Sequence, residues 1–271
     1  MKKLDKKIGF IGVGNMAKAI IGGIIKSKLV DAKNILIYGP HREKLEKVKR
    51  ELGVYIGESA EFVSGNVDIL FIGVKPNIFI EVLENLKNSI KKNTIIVSIA
   101  AGITIDDIEQ VITDEYKIIR SMPNTPALVN EGMSSICGND NILEEELMMV
   151  KDIFDSFGKT EILSEDLIHT VIGVSGSSPA YVFMLIEAMA DGAVLGGMPR
   201  EKAYKFAAQA VLGSAKMVLE TGKHPGELKD MVCSPGGTTI EAVRTLEEKR
   251  FKSAVIEAMV KCMDKSRDMS K

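Results

Sequence analysis

The stretch Ile8-Gly9-Phe10-Ile11-Gly12-Val13-Gly14-Asn15-Met16-Ala17 decides the fold of this chain. It reads as a strand, a glycine turn and the first turn of a helix, with the pattern G-x-G-x-x-A on Gly12, Gly14 and Ala17. Each position answers its own steric demand. Gly12 allows a tight turn, Gly14 lets a pyrophosphate approach the backbone, and Ala17 lets the helix pack closely on the strand. The free N–H groups at the helix start then face phosphate, so Ile11, Gly12, Val13, Gly14, Asn15, Met16 and Ala17 form a candidate cofactor-binding segment. Such a triplet alone also occurs in ordinary turns. The strand before it, the helix after it and a second strand ending at Tyr38 favour dinucleotide binding.

Outward from this segment, short β-branched runs at 8–12, 34–38, 68–74, 94–99 and 116–120 alternate with amphipathic stretches. In Arg42 to Leu52, for example, Leu45, Val48, Lys49 and Leu52 recur at helical spacing with charges opposite. Alternation of this kind predicts an α/β fold with an N-terminal Rossmann-type doubly wound parallel sheet. The second strand runs into Tyr38-Gly39-Pro40-His41-Arg42 without an Asp or Glu for a ribose 2′-hydroxyl, while Arg42 offers a partner for a 2′-phosphate. NADPH is therefore the expected reductant, with NADH as the alternative and a solvated first-turn charge as the other reading of Arg42. Gly73-Val74-Lys75-Pro76 follows a strand and is expected at the carboxyl edge of the sheet, where ligands of open α/β sheets bind. Lys75 also reads as a solvated turn charge.

Met133 to Cys137 suggests a further strand, 143–157 a helix, and 160–163 a last short strand. After Ser164 strand signals stop. Ser178 as N-cap with Pro179 opens a mostly apolar helix to Leu195, and helices are predicted at 201–220, 225–232, 239–248 and 251–266. The domains expected are 1–164, dinucleotide-binding, and 165–271, all-helical, for substrate binding and dimerisation. Ala188, Gly192 and Gly196 at four-residue spacing would let another helix approach closely. A helix apolar on nearly all sides must be covered, and a helical domain of this size has a thin core of its own, so a second subunit is expected to complete it.

Composition sets the outer limits. A chain of 271 residues accommodates two domains, and 35 Lys and Arg against 37 Asp and Glu leave a net charge of −2, unlike an electrostatic nucleic-acid binder. The three cysteines, Cys137, Cys233 and Cys262, are far apart and match neither a disulfide framework nor a metal site, which fits a reducing, cytoplasmic compartment. The uncharged run from Leu167 to Ile186 could span a bilayer by length, but His169, Ser175, Gly176, Ser177, Ser178 and Pro179 interrupt it, and no membrane is expected.

Near the end, Ser234-Pro235-Gly236-Gly237-Thr238-Thr239 places backbone N–H groups of a helix start beside three hydroxyls. That is an anion cradle suited to a carboxylate, and equally a plain helix cap with Pro-Gly-Gly as its turn. The longer block, Leu228 to Ala242, resembles the signature of the pyrroline-5-carboxylate reductase family. In order upstream, Val74-Lys75-Pro76, Ser98-Ile99-Ala100-Ala101-Gly102, Met122-Pro123-Asn124-Thr125-Pro126 and Ser175-Gly176-Ser177-Ser178-Pro179-Ala180-Tyr181 match its other blocks. The Ser-Pro-Gly-Gly-Thr-Thr and Met-Pro-Asn-Thr-Pro blocks are specific, whereas the glycine motif is generic.

The resemblance implies reduction of 1-pyrroline-5-carboxylate to L-proline by hydride transfer from NAD(P)H, the last step of proline biosynthesis. It also implies a homodimer interwoven through helical C-terminal domains, often assembled further as a pentamer of dimers. By the same resemblance Thr239 is the catalytic hydroxyl at the imine nitrogen, and Ser234, Gly236, Gly237 and Thr238 hold the substrate carboxylate. Ala100, Ala101 and Gly102 line the nicotinamide with the segment around Lys75, and Glu165 lies near the product or simply begins a helix. Two positions depart from the pattern: Ser178 stands where Gly is usual, and Ala60 precedes Glu61 where Asn is common. A β-hydroxyacid reductase on the same plan needs a catalytic Lys near Gly173 to Tyr181, which is missing, and a non-catalytic dinucleotide sensor would not need Ser234, Thr238 and Thr239.

Overall fold

A computed structural model describes residues 3–113 and 115–270. The first part alternates β1 (Ile8–Ile11), α1 (Asn15–Lys26), β2 (Ile35–Tyr38), α2 (Arg42–Leu52), β3 (Tyr55–Ile56), α3 (Ala60–Gly65), β4 (Ile69–Ile72), α4 (Pro76–Leu86), β5 (Ile95–Ser98), α5 (Ile105–Ile112) and β6 (Lys117–Met122). After β6 come β7 (Gly132–Gly138), α6 (Glu144–Asp155) and β8 (Gly158–Ile162). The eight strands form one sheet in the order β3-β2-β1-β4-β5-β6-β7-β8. Pairing is parallel except between β6 and β7. The six-strand portion has the dinucleotide-binding order, with the winding direction reversing between β1 and β4.

Both faces of the sheet are covered, and the strand residues divide between them with period two. Ile8 and Phe10 of β1, with Ile69 and Phe71 of β4, join one core with Ile20, Ile24, Phe154 and Phe157. Ile11, Leu70 and Ile72 join the other with Phe79, Leu83 and Ile108. In the first core Phe10 stacks on Phe71 at 4.7 Å between ring centroids, and Phe71, Phe154 and Phe157 continue the contact at 6.0 and 5.4 Å. All four rings are fully buried, each contributing about 1.5–3 kcal/mol of apolar burial.

The predicted strands fall where β1, β2, β4, β5, β6, β7 and β8 lie. β3 carries no sequence signal: it is a two-residue edge strand, and Tyr55 is 56% exposed. The segment after Ser164 is helical but irregular. Glu165–Leu167 forms a 3₁₀ turn, α7 spans Ile168–Val171, and Ile172–Gly176 is a π turn. The next helix, α8, spans Ser178–Leu195 with Ser177, not Ser178, at its N-cap position. The cause is that the chain enters α8 from the π turn, with Ser177 already in right-handed helical geometry at φ −98°, ψ −22°. The helical stretch Glu165–Leu195 is long and apolar enough to cross a membrane by length and composition alone.

Beyond α8 follow α9 (Arg200–Thr221), α10 (Pro225–Val232), α11 (Thr238–Glu248) and α12 (Phe251–Asp268). Packing divides the chain into one compact unit that runs to Gly176 and takes in the chain from Cys262 onward, and a second unit, Ser177–Lys261. The turns of 165–176 thus pack with the sheet, although the strand signals end at Ser164. Within the second unit α8 and α9 pack against each other, and their buried residues are Ala190, Ala203 and Ala207. Ala188, Gly192 and Gly196 are exposed instead, and no atom comes within 4 Å of a Cβ placed on Gly192. Large apolar side chains stand in solvent along these helices: Phe183 is 62% exposed, Leu195 91% and Leu219 82%.

Candidate functional site

The glycine turn lies where the ends of β1, β2 and β4 meet. Gly12 N–H donates to the Tyr38 carbonyl at 2.8 Å, and Gly73 N–H donates to the Ile11 carbonyl at 2.8 Å. Gly12 has φ +88°, and a Cβ there would lie 2.8 Å from the Gly73 carbonyl carbon and oxygen and 2.9 Å from Val74 N. Only glycine satisfies both the positive φ and this approach. Gly14 differs: it is the N-cap of α1 in extended geometry, and nothing lies within 4 Å of a Cβ built on it. No side chain caps α1 and its first turn carries no acidic residue, while Ala17 is 1% exposed against the sheet.

These features fit a dinucleotide pyrophosphate. The first-turn N–H groups of a twelve-residue helix lack intrahelical acceptors, and Gly14 at its start is exposed. Along the same sheet edge, Lys75 is the N-cap of α4 with Pro76 following at its first turn. A Cβ on Gly73 would meet Ile99 Cδ1 at 3.0 Å, so the β4 and β5 ends are in contact and Ala100-Ala101-Gly102 leaves β5 beside Gly73. Gly14, Asn15, Lys75, Pro76 and Ala101 are exposed along this edge, with Gly12, Val13 and Val74 half-buried beneath them. Arg42, the first residue of α2, is exposed and its Nη2 pairs with Glu46 Oε1 at 2.7 Å. An exposed pair of this kind is weak enough for Arg42 to exchange it for another anion.

The Ser-Pro-Gly-Gly-Thr-Thr block belongs to the helical unit. Gly237 N–H donates to the Ser234 carbonyl at 3.0 Å, and Gly236, between them, has φ +69°. With Pro235 at its first corner this is the arrangement of a type II turn, which requires positive φ at the second corner. Gly237 is the N-cap of α11, and a Cβ there would come within 2.4 Å of Ser234 Oγ. The second glycine therefore leaves room for the Ser234 hydroxyl directly over the helix start. Thr238 and Thr239 are the first two residues of α11, no side chain caps it, and Thr239 is half-buried. The three hydroxyls of Ser234, Thr238 and Thr239 with the N–H groups of an uncapped N-terminus are the donor set of a carboxylate site.

Glu165 stays with the sheet. Its Oε1 accepts from Arg120 Nη1 at 2.7 Å and from the backbone N–H of Ile105 at 2.9 Å. Arg120 is 3% exposed and opposes Cys137 across the β6–β7 pair. The sequence does carry a signal for it: a charged residue inside Lys117-Ile118-Ile119-Arg120-Ser121-Met122, a strand otherwise read as core. Burial lifts the Cys137 thiol to about 11, with Glu165 adding to the shift and Arg120 opposing it, so it stays protonated. Asn124 shapes its loop. Its Nδ2 donates to the Ser175 carbonyl at 2.9 Å and its Oδ1 accepts from Met133 N–H at 2.8 Å, tying the β6 exit to the π turn. His224 caps α10, accepting the Gly226 N–H at its Nδ1 at 3.0 Å. Among the described residues no cluster of three or more His, Cys, Asp or Glu could hold a metal ion.

Comparison with known proteins extends this geometry. Residues 165–269 match the family described as pyrroline-5-carboxylate reductase dimerisation, and residues 7–102 match NADP oxidoreductase, coenzyme F420-dependent. The chain is 59% identical over 268 residues to the pyrroline-5-carboxylate reductase of Escherichia coli strain K12, covering 99% of this chain and 100% of that one. Among solved structures, a pyrroline-5-carboxylate reductase from Coxiella burnetii superposes with a TM-score of 0.94 at 32% identity, covering 99% of this chain and 100% of that one. The pyrroline carboxylate reductase of Plasmodium falciparum, solved with NADP bound, gives 0.89 at 32% identity with both chains covered completely. With likeness running from one end to the other, the chain belongs to the pyrroline-5-carboxylate reductase family.

Proposed function

We propose that this protein is an oxidoreductase that reduces 1-pyrroline-5-carboxylate to L-proline with NADPH, NADH serving as the alternative donor, in the last step of proline biosynthesis. The observation that carries the reading is the end-to-end likeness to reductases of that name, 59% identity with both chains covered. The sheet edge supplies a fitting cofactor cradle, with Ile11 to Ala17 on the pyrophosphate, Arg42 on the 2′-phosphate, and Gly73 to Pro76 with Ala100 to Gly102 beside the nicotinamide. When bound, the dinucleotide supplies a hydride to the imine carbon.

The chain's own residues orient and polarise the substrate. Ser234, the Gly237 and Thr238 N–H groups and the Gly236 turn hold its carboxylate, and the second oxygen of Glu165 serves the product side. The Thr239 hydroxyl donates a hydrogen bond to the imine nitrogen, drawing electrons from the carbon that is attacked. The rate gain is orientation plus charge stabilisation, without a nucleophilic triad.

The same proposal assigns 1–164 to dinucleotide binding and 165–271 to substrate binding and dimerisation. The exposed Phe183, Leu195, Phe206 and Leu219 support a homodimer, which assembles further as a pentamer of dimers. Their match to a dimerisation family favours a protein partner over a membrane or nucleic acid as the cover for those side chains, in a cytoplasmic enzyme. The direct test supplies purified protein with pyrroline-5-carboxylate and follows consumption of NADPH, then of NADH. Turnover to proline, faster with NADPH, is expected. Nucleotide binding without turnover would contradict the assigned reaction, and faster turnover with NADH would contradict the role given to Arg42.

A further inference from the structure

The segment from Ala100 to Ile105, which leads from β5 into α5, is held at both ends. At its far end the Ile105 N–H is bound by Glu165 Oε1 at 2.9 Å, the oxygen that also takes the buried Arg120. At its near end Gly102 has φ +84°, and a Cβ placed there would lie 3.6 Å from the Met269 carbonyl oxygen and 3.9 Å from Ser270 Oγ. The turn that ends α12 therefore lies over Gly102. That turn is itself tied down. Ser270 Oγ donates to the Ser266 carbonyl at 3.2 Å, and Ser266 Oγ lies 2.9 Å from His169 Nδ1. His169 sits four residues beyond Glu165 on the same helical stretch, so the two anchors of the segment share one support.

We infer that His169 and Ser266 are positioning residues: their hydrogen bond clasps the final turn of α12 onto Gly102 and presets the Ala100–Gly102 turn for the nicotinamide end of the dinucleotide. The inference rests on the proposed reading that this turn lines the nicotinamide. A glycine at positive φ has unusual conformational freedom to lose, and a loop already ordered before binding spares that loss. The clasp acts on affinity for the dinucleotide and leaves the hydroxyl chemistry at Thr239 alone.

The test uses the full chain and reads the NADPH Kd by nucleotide fluorescence, with kcat and the KM for pyrroline-5-carboxylate measured beside it. Ser266→Ala and His169→Ala are expected to raise the NADPH Kd about three- to tenfold, the loss of one hydrogen bond, with kcat and substrate KM unchanged. His169→Asn, which keeps a polar atom near the Nδ1 position, restores most of the affinity. Ala101→Val probes the turn directly and raises the Kd by itself. If Ala101→Val weakens binding while Ser266→Ala and His169→Ala do not, the clasp is wrong and the reading of the turn stands. An unchanged Kd in Ala101→Val overturns the reading of the turn and the clasp with it. Parallel losses of kcat, substrate KM and thermal stability in the Ser266 and His169 variants would mark general damage and contradict a positioning role.

Discussion

The sheet unit and the helical unit solve burial in opposite ways. Phe10, Phe71, Phe79, Phe154 and Phe157 are fully enclosed by the chain's own helices, and β1 and β4 send apolar residues to both faces. In Ser177–Lys261 the buried hydrophobic residues are Ala190, Ala203, Ala207 and Leu228, while Phe183, Phe206 and Leu219 face outward. The first unit has the core of an independent domain; the second has half a core. The difference teaches that the dinucleotide site can be finished within one chain, whereas the helical half, where Thr239 lies, depends on association.

The largest effect expected is on that contrast itself. Phe71→Ala removes a ring stacked at 4.7 Å on Phe10 and should cost about 3–5 kcal/mol in denaturant unfolding, at every protein concentration. Phe183→Ala should leave the sheet unit's transition in place and raise the concentration at which the assembly dissociates, as seen by sedimentation. A concentration-independent loss in Phe183→Ala would break the comparison. Next come two glycines of positive φ, one in each unit. Gly12→Ala combines strain with contacts of 2.8 Å to the Gly73 backbone and should weaken NADPH at least about tenfold in a fluorescence titration. Gly236→Ala has the strain without the clash, since nothing lies within 4 Å, and should cost only about 1–2 kcal/mol of stability.

The smallest effect is electrostatic. Burial, then the Arg120 and Arg267 charges, hold His169 below its ordinary 6.5, with Glu165 working the other way. The unfolded chain therefore takes up this proton at a higher pH than the folded one. The stability is complete above pH 6.5 and declines as pH falls from there toward the folded value. His169→Asn should remove that part of the pH dependence in thermal melts; an unaltered profile would show that His169 does not carry it.

How much was legible follows from how local each cause is. The turn at Gly12 and Gly14, the end of β2, helix α2 and the Pro-Gly-Gly turn before α11 announce themselves because steric rules act within a few residues. β3 does not, since two residues carry no periodicity and the strand exists only by pairing with Leu36 and Ile37. Helix after Ser164 is legible, but the π turn at Ile172–Gly176 is not, since Gly173, Ser175 and Gly176 are poor helix formers held by Asn124 and by the Ser175 hydroxyl, which donates to the Val171 carbonyl at 3.0 Å. The Arg120–Glu165 pair joins residues 45 apart in sequence, and no spacing rule links them. A Cβ would clash at Gly12 and Gly237 and would meet nothing at Gly14, so glycine is required by the chain's own packing at the first two positions only.

In the proposed function, substrate polarisation and cofactor binding reside in different units, with the Thr239 hydroxyl as the imine's partner. Thr239→Ala, assayed for turnover of pyrroline-5-carboxylate and separately for NADPH binding, tests it most directly. A fall in kcat of about a hundredfold is expected, the scale for removing one preorganised donor, with the NADPH Kd unchanged. Full turnover in Thr239→Ala, or a loss confined to NADPH affinity, would contradict it.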